Sequence, residues 1–301
     1  MSARVTALIN ARAGGITTQD ACDALAARIR AASPGADVVF CEQPGCDVGE
    51  LAREAVAGGA EIVVAGGGDG TVNAVAAAVA ATPAVLALLP LGTLNHFARD
   101  LGVPALLEDA LAALSGGQVI AVDVGTVNGR VFVNNSGLGV YPDTVALREQ
   151  RRREGWRKWP AFAWAILRAL SRYRKLHLSI RVNGTQLRRA TPIIFVGNNR
   201  YHTEGFRLGM RERIDEGILS LVIPHPHHPL RLLWFALLAL LGRQFERDDI
   251  EVLESDAFQI DSRHATLRVA LDGEVVRLPT PLRYAIRPRA LRVLVPRDGR
   301  P

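Results

Sequence analysis

Short apolar runs alternate with amphipathic stretches along the first third of the chain, and glycine or proline separates them. Val5–Ile9, Val38–Cys41, Glu61–Ala65 and Val85–Leu89 read as strands. Between them, Thr18–Ala32, Gly49–Ala57 and Thr71–Ala81 have helical spacing; Thr17 or Thr18 caps the first, and Gly58-Gly59 ends the second. Asn95–Asp100 and Leu106–Leu114 continue as helices, the latter closed by Gly116-Gly117. Strands alternating with helices across short connections predict a parallel sheet covered on both faces.

Around Asp123 the pattern changes. Val119–Val127, Arg130–Asn135, Leu176–Val182, Gln186–Phe195, Leu219–Ile223, Glu251–Ile260, Thr266–Leu271 and Glu274–Leu278 read as short strands rich in β-branched residues. Asn128-Gly129, Asn183-Gly184 and Asp272-Gly273 supply hairpin turns between them. Two helical stretches interrupt, Trp156–Tyr173 and Leu230–Leu241. The expected fold is an α/β N-terminal domain followed by an antiparallel β-sandwich domain, and no repeat is visible.

The length of 301 residues allows two such domains, each with a core of its own. Cys22, Cys41 and Cys46 are too few for a disulfide framework, and no second pair completes a zinc set, so a reducing cytoplasm is expected. The opening residues read as a first strand rather than a signal peptide. The longest apolar run, Leu230–Leu241, falls short of the ~20 residues that span a bilayer. A formal charge of +6 implies an anionic partner: nucleic acid, a membrane surface or phosphate-bearing ligands. Ten of the Lys and Arg residues fall between Arg148 and Lys175, opposed there only by Glu149 and Glu154.

The most informative stretch runs from Glu61 to Asn73. A buried strand enters Gly66-Gly67-Gly68-Asp69-Gly70-Thr71, and an alanine-rich helix leaves it. Glycines without Cβ atoms let backbone N–H groups converge, and a helix start adds partial positive charge, so the loop suits a phosphate chain. No Gly-Lys-Ser/Thr follows, which excludes a Walker A loop, and the last glycine gap is one residue short of a Rossmann fingerprint. The plain alternative is a tight turn between strand and helix.

A second loop, Leu89-Pro90-Leu91-Gly92-Thr93-Leu94-Asn95-His96-Phe97-Ala98, leaves the next parallel strand. Ligands of open α/β sheets bind at that carboxyl edge, so two Gly-Thr turns there would face one crevice.

In these residues the chain resembles the bacterial diacylglycerol kinase catalytic family, related more distantly to sphingoid-base and ceramide kinases and to NAD kinases. Val122-Asp123-Val124-Gly125, Asp215-Glu216-Gly217 and Leu271-Asp272-Gly273-Glu274 fit its later signatures in order. The resemblance implies a nucleotide-binding domain over residues 1–128, like that of NAD kinase and phosphofructokinase, to which residues 288–301 return. It implies a β-rich lipid-acceptor domain over 129–287. ATP would lie over Gly66, Gly67, Gly68, Asp69, Gly70, Thr71, Val72 and Asn73, with Gly92, Thr93, Asn95 and Cys41 nearby. Mg²⁺ would be served by Asp215 or Glu216 and by Asp123. The family's usual Glu after Asn73 is Ala74 here, and its Asp-Gly metal segment reads Asp215-Glu216-Gly217.

Phosphoryl transfer needs positioning, charge neutralisation and a carboxylate to take the proton of the attacking hydroxyl. Asp272 and Glu274 are the candidates for that base, Asp272 ahead, although Asp-Gly is also the commonest kind of hairpin turn. Asp123 lies among apolar neighbours, which is costly unless it is paired; an edge-strand surface position is the alternative. His225, His227 and His228 read as a solvated loop rather than a metal site. The basic stretch with Trp156, Trp159 and Trp164 reads as a solvated helix face or a membrane-interface element.

The expectation is a cytoplasmic kinase, peripheral at an anionic membrane surface, that transfers the γ-phosphate of ATP to a lipid hydroxyl, with diacylglycerol the default acceptor. A kinase of another lipid (a sphingoid base or phosphatidylglycerol) or of a soluble NAD-like hydroxyl substrate is one alternative, and a silent lipid-binding regulator another. Nucleic acid is not expected, having no recognisable reader fold. A homodimer stays open.

Overall fold

The computed structural model describes residues 3–11, 16, 18–41, 46–93, 95–139, 142, 175–201, 211, 213–224 and 250–297. The expected helices Trp156–Tyr173 and Leu230–Leu241, most of the basic stretch, and the three histidines at 225, 227 and 228 lie outside these residues. The chain divides into two compact units, Met1–Val124 with Arg287–Pro301, and Gly125–Ile286.

In the first unit, β1 (Val5–Asn10), β2 (Asp37–Cys41), β3 (Ile62–Gly67) and β4 (Val85–Pro90) form a parallel sheet in the order β2-β1-β3-β4. All six residues of β4 are buried, as expected of a strand covered on both faces. Helix α1 (Gln19–Ala32) is capped by Thr18, whose hydroxyl accepts the Ala21 N–H, and α2 (Val48–Ala57) by Asp47, whose carboxylate accepts the Gly49 and Glu50 N–H groups. α2 packs on α3 (Asp69–Val79), and both lie on β3. Two more helices follow, α4 (His96–Asp100) and α5 (Leu107–Gly116); α5 packs on α1 and β4. The parallel registers bring Asn10, Cys41, Gly67 and Pro90 to one edge of the sheet, the carboxyl ends of its strands.

β5 (Gln118–Val127) crosses the division between the units, as does β16 (Leu282–Val295), whose Arg292–Leu294 extend the first sheet in parallel beside β4.

The second unit is antiparallel. β6 (Arg130–Phe132) pairs with β5. β7 (Asn135–Gly139), β10 (Ile193–Asn198), β11 (Leu219–Pro224), β12 (Ile250–Ser255), β14 (Thr266–Leu271) and β15 (Glu274–Pro279) form one sheet in the order β12-β11-β10-β7-β14-β15. β8 (Leu176–Val182) and β9 (Thr185–Thr191) join β13 (Ala257–Ser262), which pairs with Leu282–Ala285 of β16. Both sets turn alternate apolar residues into one core, among them Phe132, Leu138, Ile180, Ile194, Leu221 and Ile260. Tyr284 stacks on Phe258 there, and its hydroxyl meets Ser136 Oγ at 2.9 Å.

Three expected strands are each broken in two. Gln186–Phe195 divides at Pro192, which has no N–H for a ladder. Glu251–Ile260 divides at Asp256, beside which the Ser255 hydroxyl binds the Ala257 carbonyl and the chain changes sheets. Arg130–Asn135 divides at Val133-Asn134, whose N–H groups are spent on a side chain described below.

Candidate active site

The first unit's glycine loop is built by contacts only glycine permits. A Cβ at Gly66 would stand 2.3 Å from Ile9 Cδ1, and one at Gly67 2.5 Å from Thr71 Oγ1. Thr71 is held from the other side, where Asn10 Nδ2 donates to Oγ1 at 3.1 Å. The loop then opens: a Cβ at Gly70 would meet nothing within 4 Å. Gly68 is the N-cap of α3 and has no side chain to satisfy the helix's first N–H groups, while the Val72 N–H returns to its carbonyl at 3.0 Å.

The second loop lies against the first. Gly67 O accepts the N–H groups of Leu91 and Gly92 at 3.0 and 3.2 Å, and a Cβ at Gly92 would stand 2.5 Å from Gly68 Cα. Asp69 Oδ1 accepts the His96 N–H at 2.7 Å, joining the start of α3 to the start of α4. Asn95 adopts a left-handed conformation at φ 48° and donates from Nδ2 to Gly92 O at 2.8 Å. Thr93 is exposed beside it.

Two buried acceptors in these loops have no partner among the described residues, Asn73 Oδ1 and Asn95 Oδ1. Orphaned buried polar atoms are costly and call for a missing partner. Open glycine N–H donors beside lone buried acceptors fit a ligand with anionic oxygens and hydroxyl or amine donors, as a nucleotide has. Ala74, on the same helix, packs against Gly49 of α2: a Cβ on Gly49 would lie 3.6 Å from Ala74 Cβ.

Cys41 departs from expectation. It is buried at the end of β2 and bonded to Cys46 in a disulfide. The bond closes the short connection into α2, whereas the small cysteine count had pointed to reduced thiols; Cys22 is buried in α1.

Asp123 is 1% exposed on β5, not an edge-strand surface residue. Its Oδ1 accepts the N–H of Arg289, a residue held at φ 51°, at 2.8 Å. In the second unit Asp215 and Glu216 are half-buried in a turn and engaged by arginines. Asp215 meets Arg213 at 3.1 Å, and Glu216 meets Arg200 at 3.5 Å while donating its own N–H to Asn199 Oδ1. Among the described residues, no three His, Cys, Asp or Glu side chains gather as a metal site.

The second unit's acidic turn is asymmetric. Glu274 is exposed. Asp272, at φ 47°, turns its carboxylate inward to accept three backbone N–H groups at 2.8 Å each: Val133 at Oδ2, and Asn134 and Asn135 at Oδ1. Oδ1 thus has both lone-pair directions filled, and Oδ2 keeps one for a further proton or donor. Burial pushes the carboxyl up to about 6, against the downward pull of the three N–H bonds and of the Arg211 guanidinium. Arg211 itself, buried in an isolated bridge with Tyr201, was not legible as a site residue; a lone arginine between strands has no motif.

Residues 4–127 match the model of the diacylglycerol kinase catalytic domain, and residues 142–295 that of the YegS C-terminal NAD kinase beta sandwich-like domain. A protein of Pseudomonas aeruginosa named "Probable lipid kinase YegS-like" is 34% identical over 259 residues, 83% of this chain and 82% of that one. One of the same name from Pseudomonas fluorescens is 33% identical over 261 residues, 84% and 83% of the two chains. The crystal structure of a diacylglycerol kinase from Bacillus anthracis shares the fold, with a TM-score of 0.71 at 21% identity over 99% of both chains.

Proposed function

The chain belongs to the YegS-like lipid kinase family, and on that premise we propose that it transfers the γ-phosphate of ATP to a hydroxyl of a membrane lipid, diacylglycerol first among the acceptors. The observation that carries the nucleotide half is the close approach of Gly68 and Gly92, two turns from successive parallel strands with unpartnered Asn73 Oδ1 and Asn95 Oδ1 beside them. The phosphate chain lies over Gly68–Val72, along the N–H groups at the start of α3. The His96 N–H orients Asp69, and exposed Thr93 offers a hydroxyl to the same ligand.

The second unit supplies the proton acceptor. Oδ2 of Asp272 takes the proton as the acceptor oxygen forms its bond to the γ-phosphorus and the bond from phosphorus to the bridging oxygen breaks, releasing ADP. A carboxyl near 6 suits this task at neutral pH, where it is ionised yet still basic.

Magnesium arrives with ATP in such reactions, held by phosphate oxygens, waters and one or two carboxylates. Asp123, Asp215 and Glu216 are the carboxylates proposed for it. Each is engaged by the protein's own donors here, and an ion bound there would neutralise charge on the phosphates.

A lipid acceptor places the work at a bilayer surface, which the charge of +6 favours if that surface is anionic and cytoplasmic. Among the described residues no helix is long and apolar enough to cross a membrane. The test is transfer of labelled γ-phosphate from Mg-ATP to a panel of lipids in mixed micelles. A labelled lipid identifies the acceptor; folded protein that labels none of them refutes the proposal.

A further inference from the structure

Residues 133–135 lie between two polar groups. On one side their three N–H groups hold the Asp272 carboxylate. On the other, Arg211 Nη1 donates to Val133 O, and Tyr201 Oη donates to Asn134 O at 2.8 Å. The Val133 carbonyl and the Asn134 N–H belong to one peptide group, and the Asn134 carbonyl and the Asn135 N–H to the next. Each peptide group therefore accepts from Arg211 or Tyr201 at one end and donates to Asp272 Oδ1 at the other.

We propose that Arg211 is a positioning residue for Asp272, acting through the peptide groups of residues 133–135 rather than by touching the substrate. The inference rests on the reading of Asp272 as proton acceptor. Arg211 is 6% exposed and also donates from Nη2 to Asn134 Oδ1 at 3.0 Å and from Nη1 to Asn198 O at 3.2 Å. Its guanidinium carbon lies 5.8 Å from the centre of the Tyr201 ring, which fixes the side chain's place. The Arg211 charge acts on the Asp272 carboxyl and pulls it toward its ionised form, whereas Glu274, two residues on, is exposed.

Hydrogen bonds in series polarise one another, so the Arg211 charge strengthens the N–H groups that face the carboxylate and favours its ionised form. This also accounts for the broken strand, because Val133 and Asn134 leave the β-ladder to serve Asp272 on one side and Arg211 and Tyr201 on the other. The positioning role differs from a packing role in what it controls: the pH at which the base loses its proton.

The test compares Arg211→Gln, which keeps donors and loses the charge, with Arg211→Lys, which keeps the charge. Two readouts are taken on the full chain: the acid limb of lipid phosphorylation, and the carboxyl carbon titration of Asp272 by NMR, which needs no activity. Arg211→Gln should raise both midpoints by about one pH unit, and Arg211→Lys should leave them near the wild-type value. Should Arg211→Gln not fold, Tyr201→Phe must raise the midpoint by a smaller amount. An unmoved midpoint in the folded charge-removing or Tyr201→Phe variant overturns the role. A moved NMR midpoint with no lipid phosphorylation in the wild type keeps it and instead overturns the assigned activity.

Discussion

The backbone N–H of His96 donates to Asp69 Oδ1 at 2.7 Å, so one carboxylate fixes the first turn of α3 to the first turn of α4. The bond crosses between the two glycine loops, and both of its ends lie where the nucleotide is proposed to sit. Asp69→Asn keeps an acceptor for that N–H and should cost under about 1 kcal/mol of stability. Asp69→Ala should cost about 1–2 kcal/mol. Asp69 is proposed to sit at the phosphate and magnesium end of the nucleotide, where its charge is needed, so both should lose most phosphoryl transfer. Denaturant unfolding beside the transfer assay separates the two effects.

Glycine substitutions should separate the fold from the ligand. Gly92→Ala drives a Cβ to 2.5 Å from Gly68 Cα, a contact with backbone that cannot swing away. It should cost about 1–3 kcal/mol and displace both loops. Gly70→Ala meets nothing within 4 Å and sits in the first turn of a helix, so stability should stay within about 0.5 kcal/mol. Its methyl would still enter the space given to phosphate. The expected result is wild-type unfolding with weakened ATP binding, read by titration calorimetry.

The Asp272 carboxyl sets a pH dependence of definite sign. Its folded value, pushed up to about 6, lies above the ordinary 3.8, so protonation favours the folded state. Stability from this group is fully present below about pH 4 and is lost as pH rises through about 6. Catalysis runs the opposite way, because the base must be ionised: transfer should fall about tenfold per pH unit below 6. Asp272→Asn should abolish the acid limb together with the activity.

The Cys41–Cys46 bond closes a short loop at the sheet edge. Cutting it by Cys46→Ser or by dithiothreitol should cost about 2 kcal/mol by loss of loop-closure restraint. The two treatments should lower the unfolding midpoint by the same amount, and dithiothreitol should do nothing further to Cys46→Ser.

Much of the first unit was legible because its signals are local. The Thr18 cap, the Gly58-Gly59 stop and the run Gly66–Thr71 each fix a backbone event within a few residues. The second unit was harder, because strand ends there are set from a distance. Nothing near Val133 announces that its N–H will serve Asp272, 139 residues away. Asp272-Gly273 does read as a hairpin turn, and it is one, between β14 and β15. That the same Asp also turns its carboxylate inward is tertiary information. The long β16 was missed as a strand for a related reason. Pro288 sits within Leu282–Val295, and proline usually argues against a continuous strand. Arg211 and the Cys41–Cys46 bond likewise depend on contacts that spacing alone does not encode.

The most direct test of the central claim is mass spectrometry of a total lipid extract incubated with the purified chain and Mg-ATP, with Asp272→Asn in parallel. The account predicts a lipid gaining the mass of one phosphate in the wild-type reaction and not in the variant. ATP turnover by the folded wild type with every lipid unchanged would contradict it.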